Sequence, residues 1–230
     1  MDIDLLGRAS NEITTIINQI QEILEIDVEA DGISFYADSI QAERIVEDAD
    51  YQGVRVLFLG ILDTAKIHMQ IDIGFDDVIH PSPELLELPI LLDFPAPRLL
   101  CYSRESVIAE KFQAMVKLGA INSRMKDFYD IWLLCRQFDF EGRKLAEAIR
   151  LTFQKRGTLI PIKIYAFESS FIVDKQRQWS AFRNRLGQEH LPESFDEIIS
   201  VVKTFLTPII IKLLQNESVS LSWPTRGPWV

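Results

Sequence analysis

The sequence has 230 residues, 47% of them hydrophobic, and a formal charge of −10, enough apolar material for one sizeable core or two small ones. Two cysteines, Cys101 and Cys135, suggest neither a disulfide framework nor a C-x-x-C metal site, and three histidines far apart give no metal-ligand spacing. The opening "MDIDLLGRAS" carries acids where a signal peptide needs basic residues, and the longest aliphatic runs are far too short for a bilayer, so the expected setting is cytoplasmic with no membrane partner.

In chain order, "DIDLL" at residues 2–6 alternates like a strand. Ser10 is placed to cap a helix over 11–26, in which Ile13, Ile16, Ile17, Ile20, Ile23 and Leu24 recur at helical spacing. "GISFYA" reads as a strand centred on 33–37, and "QAERIVE" fits either a strand or a helix. Strands at 54–62 and 66–75 form a hairpin around Asp63-Thr64. In the second of these, Ile67, Met69, Ile71, Ile73 and Phe75 face one way, and Lys66, His68, Gln70, Asp72 and Gly74 the other. The first four strands are expected in one sheet backed by the 11–26 helix.

Pro81 to Pro97 is rich in proline and leucine, contains an extended "ILLDF", and reads as a connector. Helices are expected at 104–118, 123–137 and 141–154, then, after the break "RGTLIPIKIYAF", near 171–187, 194–206 and 208–216. The proline-broken tail "SWPTRGPWV" is expected to lie over the surface.

Charge is unevenly spread. Residues 1–97 hold 4 basic and 20 acidic side chains, whereas residues 98–190 hold 17 basic and 10 acidic ones. Such a split suits a metal-binding region beside an anion-binding one, although on charge alone ordinary solvated surface is the better reading. Asp2 and Asp4 flank Ile3, so on a strand both carboxylates share a face. Asp72 lies on a polar face of another strand. Were those strands neighbours, three carboxylates would converge, a cluster that repels itself unless cations neutralise it. Oxygen ligands of this kind suit Mg²⁺ and a two-metal clamp for phosphoryl or nucleotidyl transfer. Farther along, Lys111 falls inside the apolar arc of its helix, Arg124 lies within the next helix's apolar face, and Asp127 sits at that face's margin. Inward charges cost several kcal/mol unless paired or used. A snorkelling lysine, an i, i+3 surface pair and a solvated Asp130 are the structural alternatives.

Four stretches then resemble the AbiEii/AbiGii toxin family of nucleotidyltransferases, a branch of the DNA polymerase β-like superfamily: "DIDLLGR", "YQGVRV", "IDIGFDDVIHPSP" and "YSRESVIAEKFQAMVKLGAINSRMKDFYDIWLL". The resemblance implies an α+β fold, with a mixed-sheet palm over 1–97 and a helical C-terminal region over 98–230. It implies Asp2 and Asp4 as the D-x-D metal ligands and Asp72 as the third palm carboxylate, all three catalytic through Mg²⁺. It implies Lys111 as the lysine of E-K-x-x-A, and Arg124, Lys126, Asp127 and Asp130 as R-x-K-D-x-x-D. In those motifs Lys111 and Asp127 are catalytic, while Lys111, Arg124, Lys126 and Asp130 bind substrate.

The activity so implied is transfer of a nucleotide from a nucleoside triphosphate to an RNA acceptor, tRNA in some relatives, by a toxin paired with a DNA-binding antitoxin encoded alongside. A catalytically impaired nucleotide- or partner-binding relative is one alternative. A nucleotidyltransferase acting on a small molecule or a protein hydroxyl is another. The family's D-x-D normally follows a helix with a Gly-Gly or Gly-Ser turn that grips the triphosphate. Here Met1 stands one residue before Asp2, so a longer form carrying that turn is expected to be more active.

Overall fold

The computed structural model describes residues 2–45, 53–75, 77–188 and 190–230, and for Asp2 the backbone alone. The chain divides into two compact units, residues 1–77 and 78–230.

The first unit is a four-stranded mixed sheet with one helix. Strands β1 (Asp2–Gly7), β2 (Ile33–Ile45), β3 (Gly53–Leu62) and β4 (Ala65–Phe75) lie in the order β1-β4-β3-β2, with β1 parallel to β4 and the other pairs antiparallel. Helix α1 (Ile13–Leu24) joins β1 to β2, and the crossover it supplies is what lets β1 run parallel to its neighbour. Its Ile16 and Ile20 are buried with Val54, Val56 and Phe58 of β3 and Ile71 and Ile73 of β4. These strand residues are the alternate positions that the sequence pattern assigns to the core.

Two details of this unit differ from expectation. Ser10 does not cap α1: the cap position is Glu12, and the Ser10 hydroxyl accepts instead from the Glu12 N–H, shaping the turn before the helix. Ile23 is exposed, because the buried stripe is only as wide as the two central strands beneath it. The ambiguous "QAERIVE" is strand as far as Ile45, and its last two residues lie outside the described residues. A register shift between Tyr36 and Gln41 is bridged by Ser39, whose hydroxyl accepts from the Leu59 N–H (2.9 Å) and donates to the Tyr36 carbonyl (2.6 Å). At the other edge Gly7 is opposite Phe75, and a Cβ there would come within 2.2 Å of the Phe75 ring.

The second unit is helical. A short hairpin of β5 (Glu84–Glu87) and β6 (Arg98–Cys101) opens it, followed by α2 (Arg104–Leu118) and α3 (Met125–Gln137). Strand β7 (Phe140–Glu141), α4 (Gly142–Lys155), α5 (Ser169–Leu186), α6 (Phe195–Leu214) and β8 (Ser222–Trp223) complete it. The segment read as a connector therefore contains a hairpin, and its paired residues flank rather than include "ILLDF". The expected boundary at residue 97 falls within this unit, next to β6.

Its core is aromatic. Phe128 meets Phe195 edge-on at 5.3 Å between centroids, Trp179 stacks on Phe195 at 5.8 Å, and Phe112 packs on Phe153 at 5.2 Å. The two helices expected on either side of Pro208 are one, α6. Proline removes the hydrogen bond to the carbonyl four residues back, a cost of ~3 kcal/mol in a helix interior. Phe205, Leu206, Ile209 and Ile210, buried on both sides of the proline, hold the helix through it.

The tail lies over the surface for most of its length, as expected, but is anchored through two indoles. β8 pairs with β7, the Trp223 indole N–H donates to the Cys135 carbonyl (2.7 Å), and the Trp229 N–H to the Phe205 carbonyl (2.7 Å). Both rings pack on Phe205, with centroids 4.9 and 5.4 Å away. Gly142 makes room for the approach: a Cβ there would lie 2.8 Å from the Leu221 carbonyl oxygen.

Candidate active site

In the first unit the ladder aligns one charged row across all four strands. Asp4 of β1 is the register partner of Asp72 of β4, Asp72 of Arg55 on β3, and Arg55 of Glu43 on β2. Partners in register project to the same face, opposite the one that α1 covers. The backbone of Asp2 aligns with Gln70, and its side chain lies outside the described residues. The requirement that Asp72 share a face with the D-x-D strand is met.

Asp72 is not waiting empty-handed. Its Oδ1 accepts from Arg55 Nε (2.9 Å) and its Oδ2 from Arg55 Nη2 (2.7 Å), the two-pronged contact that guanidinium and carboxylate favour. Gln70 Nε2 lies 3.2 and 3.1 Å from the same oxygens. The Arg55 hydrogen bonds hold the Asp72 carboxyl below its ordinary value, against partial burial that would raise it. Asp4 is exposed. Carboxylate oxygens on an accessible sheet face are the kind of hard donor that Mg²⁺ takes. Among the described residues no group of three or more His, Cys, Asp or Glu is arranged to hold a metal.

In the second unit the remaining expected residues meet where α2 crosses the start of α3. Lys111 Nζ of α2 lies 3.0 Å from Asp127 Oδ1 and 2.8 Å from Asp130 Oδ2 of α3. Arg124 Nε is 2.9 Å from Asp127 Oδ2, and Lys126 Nζ 2.7 Å from Asp130 Oδ2. Asp127 Oδ2 gains no well-directed hydrogen bond, so the Arg124 contact is ionic and off-angle. Burial alone would lower the Lys111 pKa; the Asp127 and Asp130 carboxylates outweigh it, and the net shift is upward. The ammonium is thus a cation throughout the physiological range. The Asp127 side chain is only 4% exposed, and it stands in the first turn of α3, where the helix dipole favours an anion.

Arg124 departs from expectation. It is not on the buried face of α3 but at the cap position before it, with its side chain 51% exposed. Projecting a helix back to residue 123 gave it the wrong direction, because regular helix begins only at Met125. Lys126 is more exposed still, at 71%. Lys111, Arg124 and Lys126 thus meet the carboxylates of Asp127 and Asp130 in one cluster, with the ends of Arg124 and Lys126 outermost.

Sequence reasoning missed two further groups. Arg55 is a lone cation among apolar residues of "GVRVLFLGIL", the one signal that marked it. On α2, Gln113 is buried; its Nε2 donates to Thr158 Oγ1 (2.8 Å), and Arg156 Nη1 donates to its Oε1 (3.0 Å). Arg156 also approaches Glu110 at 3.9 Å, so the "RGT" turn is fastened to the helix that carries Lys111. Likewise Ser103, which caps α2, and Ser106 both place their hydroxyls 3.0 Å from the His80 carbonyl, tying "IHPSP" to "YSRES".

A mixed sheet with an aligned acid pair and a helical unit with a lysine-centred ion cluster are the parts of a nucleotidyltransferase. The family model described as nucleotidyl transferase AbiEii toxin, type IV toxin–antitoxin system, matches residues 1–201, and the chain belongs to that family. Among solved structures, a crystal structure from H. pylori assigned as a nucleotidyltransferase is similar at 13% identity, with 94% of this chain and 80% of that one covered and a TM-score of 0.44. No curated protein matches the chain. No helix among the described residues is long and apolar enough to cross a membrane.

Proposed function

We propose that the protein is a Mg²⁺-dependent nucleotidyltransferase toxin that moves a nucleotide from a nucleoside triphosphate onto an RNA, tRNA first among the candidates, in the cytoplasm. The observation that carries this reading is the Asp4–Asp72 alignment on one sheet face in a member of the AbiEii family. Asp2, Asp4 and Asp72 would hold the Mg²⁺, which when bound neutralises phosphate charge and orients the triphosphate. Lys111 is the cation for the leaving phosphates, fixed by Asp127 and Asp130, and the exposed ends of Arg124 and Lys126 meet the substrate's outer phosphates. The 17 basic side chains of residues 98–190 supply the charge to attract an RNA backbone. A DNA-binding antitoxin encoded nearby is the expected regulator.

The test is incubation with each radiolabelled triphosphate and separate pools of tRNA, protein and small molecules. Label on RNA, lost in Asp4→Asn and Asp72→Asn, supports the proposal. Label on protein or a small molecule would move the acceptor elsewhere. Nucleotide binding without transfer would favour the impaired relative, a reading to which the full engagement of Asp72 by Arg55 lends some weight.

A further inference from the structure

Arg55 occupies both oxygens of the carboxylate that the metal reading requires. A carboxylate has about four lone-pair directions, and the guanidinium fork takes one on each oxygen of Asp72. A divalent ion at Asp72 would also lie close to a fixed positive charge, which Coulomb's law makes costly at a partly buried position. Yet without Arg55, Asp4 and Asp72 would be adjacent like charges on neighbouring strands. One cation therefore offsets part of the row's negative charge in the metal-free protein and opposes the metal that replaces it. The row supplies a second acceptor: Glu43, exposed on β2, is the register partner of Arg55 on the side away from Asp72.

We propose that Arg55 is a displaceable counter-ion that holds Asp72 until a divalent cation competes for it, then turns to Glu43. It acts through Asp72, as a positioning residue that sets the metal affinity. The inference rests on the metal reading above, and the experiment separates the two.

Mn²⁺ is titrated into the full 230-residue chain without nucleotide, and the free ion is followed by electron paramagnetic resonance. Arg55→Gln is expected to bind Mn²⁺ about tenfold more tightly than wild type, within the range usual for coupled sites. Arg55→Lys, with one ammonium in place of the fork, should fall between the two. Glu43→Gln should bind a few-fold more weakly, since the displaced arginine loses its landing point. A purely structural arginine would lower stability and leave these affinities alone. A folded Arg55→Gln protein, checked by circular dichroism, with wild-type or weaker affinity overturns the inference. Should that variant not fold, an unchanged affinity in Arg55→Lys overturns it. Asp72→Asn must weaken binding; if it does not, the metal reading fails at Asp72 and the inference falls with it.

Discussion

Replacing Lys111 by methionine keeps its length and apolar stem and deletes the ammonium that joins α2 to α3. The loss can be worked from the contacts. Two ion pairs of 3.0 and 2.8 Å disappear, and Asp127, 4% exposed, keeps only the off-angle Arg124 contact. Breaking a buried pair by removing one partner costs about 3–5 kcal/mol, and Lys111, 18% exposed, places this case near the lower end, at about 3 kcal/mol. At about 2–4 °C per kcal/mol for a chain of this size, the melting temperature should fall by about 6–12 °C. Urea unfolding followed by tryptophan fluorescence measures the change. A double-mutant cycle with Asp127→Asn should return a coupling of about 2 kcal/mol, because the second change removes the charge that the first leaves stranded. The pH dependence has a definite sign. A raised lysine pKa contributes stability that is fully present below the unfolded value near 10.4 and is lost as pH rises through the higher folded value. The deficit of the variant should therefore be constant from about pH 6 to 9 and shrink only in strong alkali. A loss under about 1 kcal/mol, or additivity with Asp127→Asn, would refute the clamp and make Lys111 a snorkelling side chain.

Arg55→Gln should cost only about 1 kcal/mol at neutral pH, since the Arg55 head is partly solvated. A lowered carboxyl pKa contributes stability present above the unfolded value and lost as pH falls through the folded one, so the Arg55→Gln deficit should vanish well below pH 3.8. Trp223→Ala should lose about 3–5 kcal/mol by urea unfolding, as for other large buried aromatics, and should free the tail for early proteolysis. Binding of tRNA, measured by filter retention, should weaken steeply between about 50 and 200 mM salt. A flat salt response would remove the RNA backbone as the partner of residues 98–190.

The sheet was legible because period-two alternation in β3 and β4 is undiluted, and a two-residue turn at Asp63-Thr64 leaves one register for the pair. The shared face of Asp4 and Asp72 followed from the same periodicity. What alternation cannot give is which strands are neighbours. The Asp4–Asp72 and Arg55–Glu43 pairings depend on that order, whereas Arg55 opposite Asp72 follows from the hairpin register and was overlooked. The helical ion cluster was half legible. Lys111 and Asp127 sit inside regular helices, where 100° per residue holds, whereas Arg124 stands just before α3, where it does not. Proline misled in both directions. Pro208 suggested a break that a buried stripe overrides, and prolines 89, 95 and 97 hid a hairpin whose pairing they border without entering. The anchoring of the tail was not legible, because a short proline-broken stretch has no period and Trp223 and Trp229 bond to two distant carbonyls.

That tail sets an order of assembly. A ribosome delivers Cys135 and Phe205 long before Trp223 and Trp229, yet both of those earlier residues are partnered by the indoles. The helical unit can collapse during synthesis, but its core stays open on one side until residues 222–230 have emerged. Any handle attached after Val230 also meets this constraint, since Val230 and Ser222 exchange backbone hydrogen bonds in both directions at 2.9 Å.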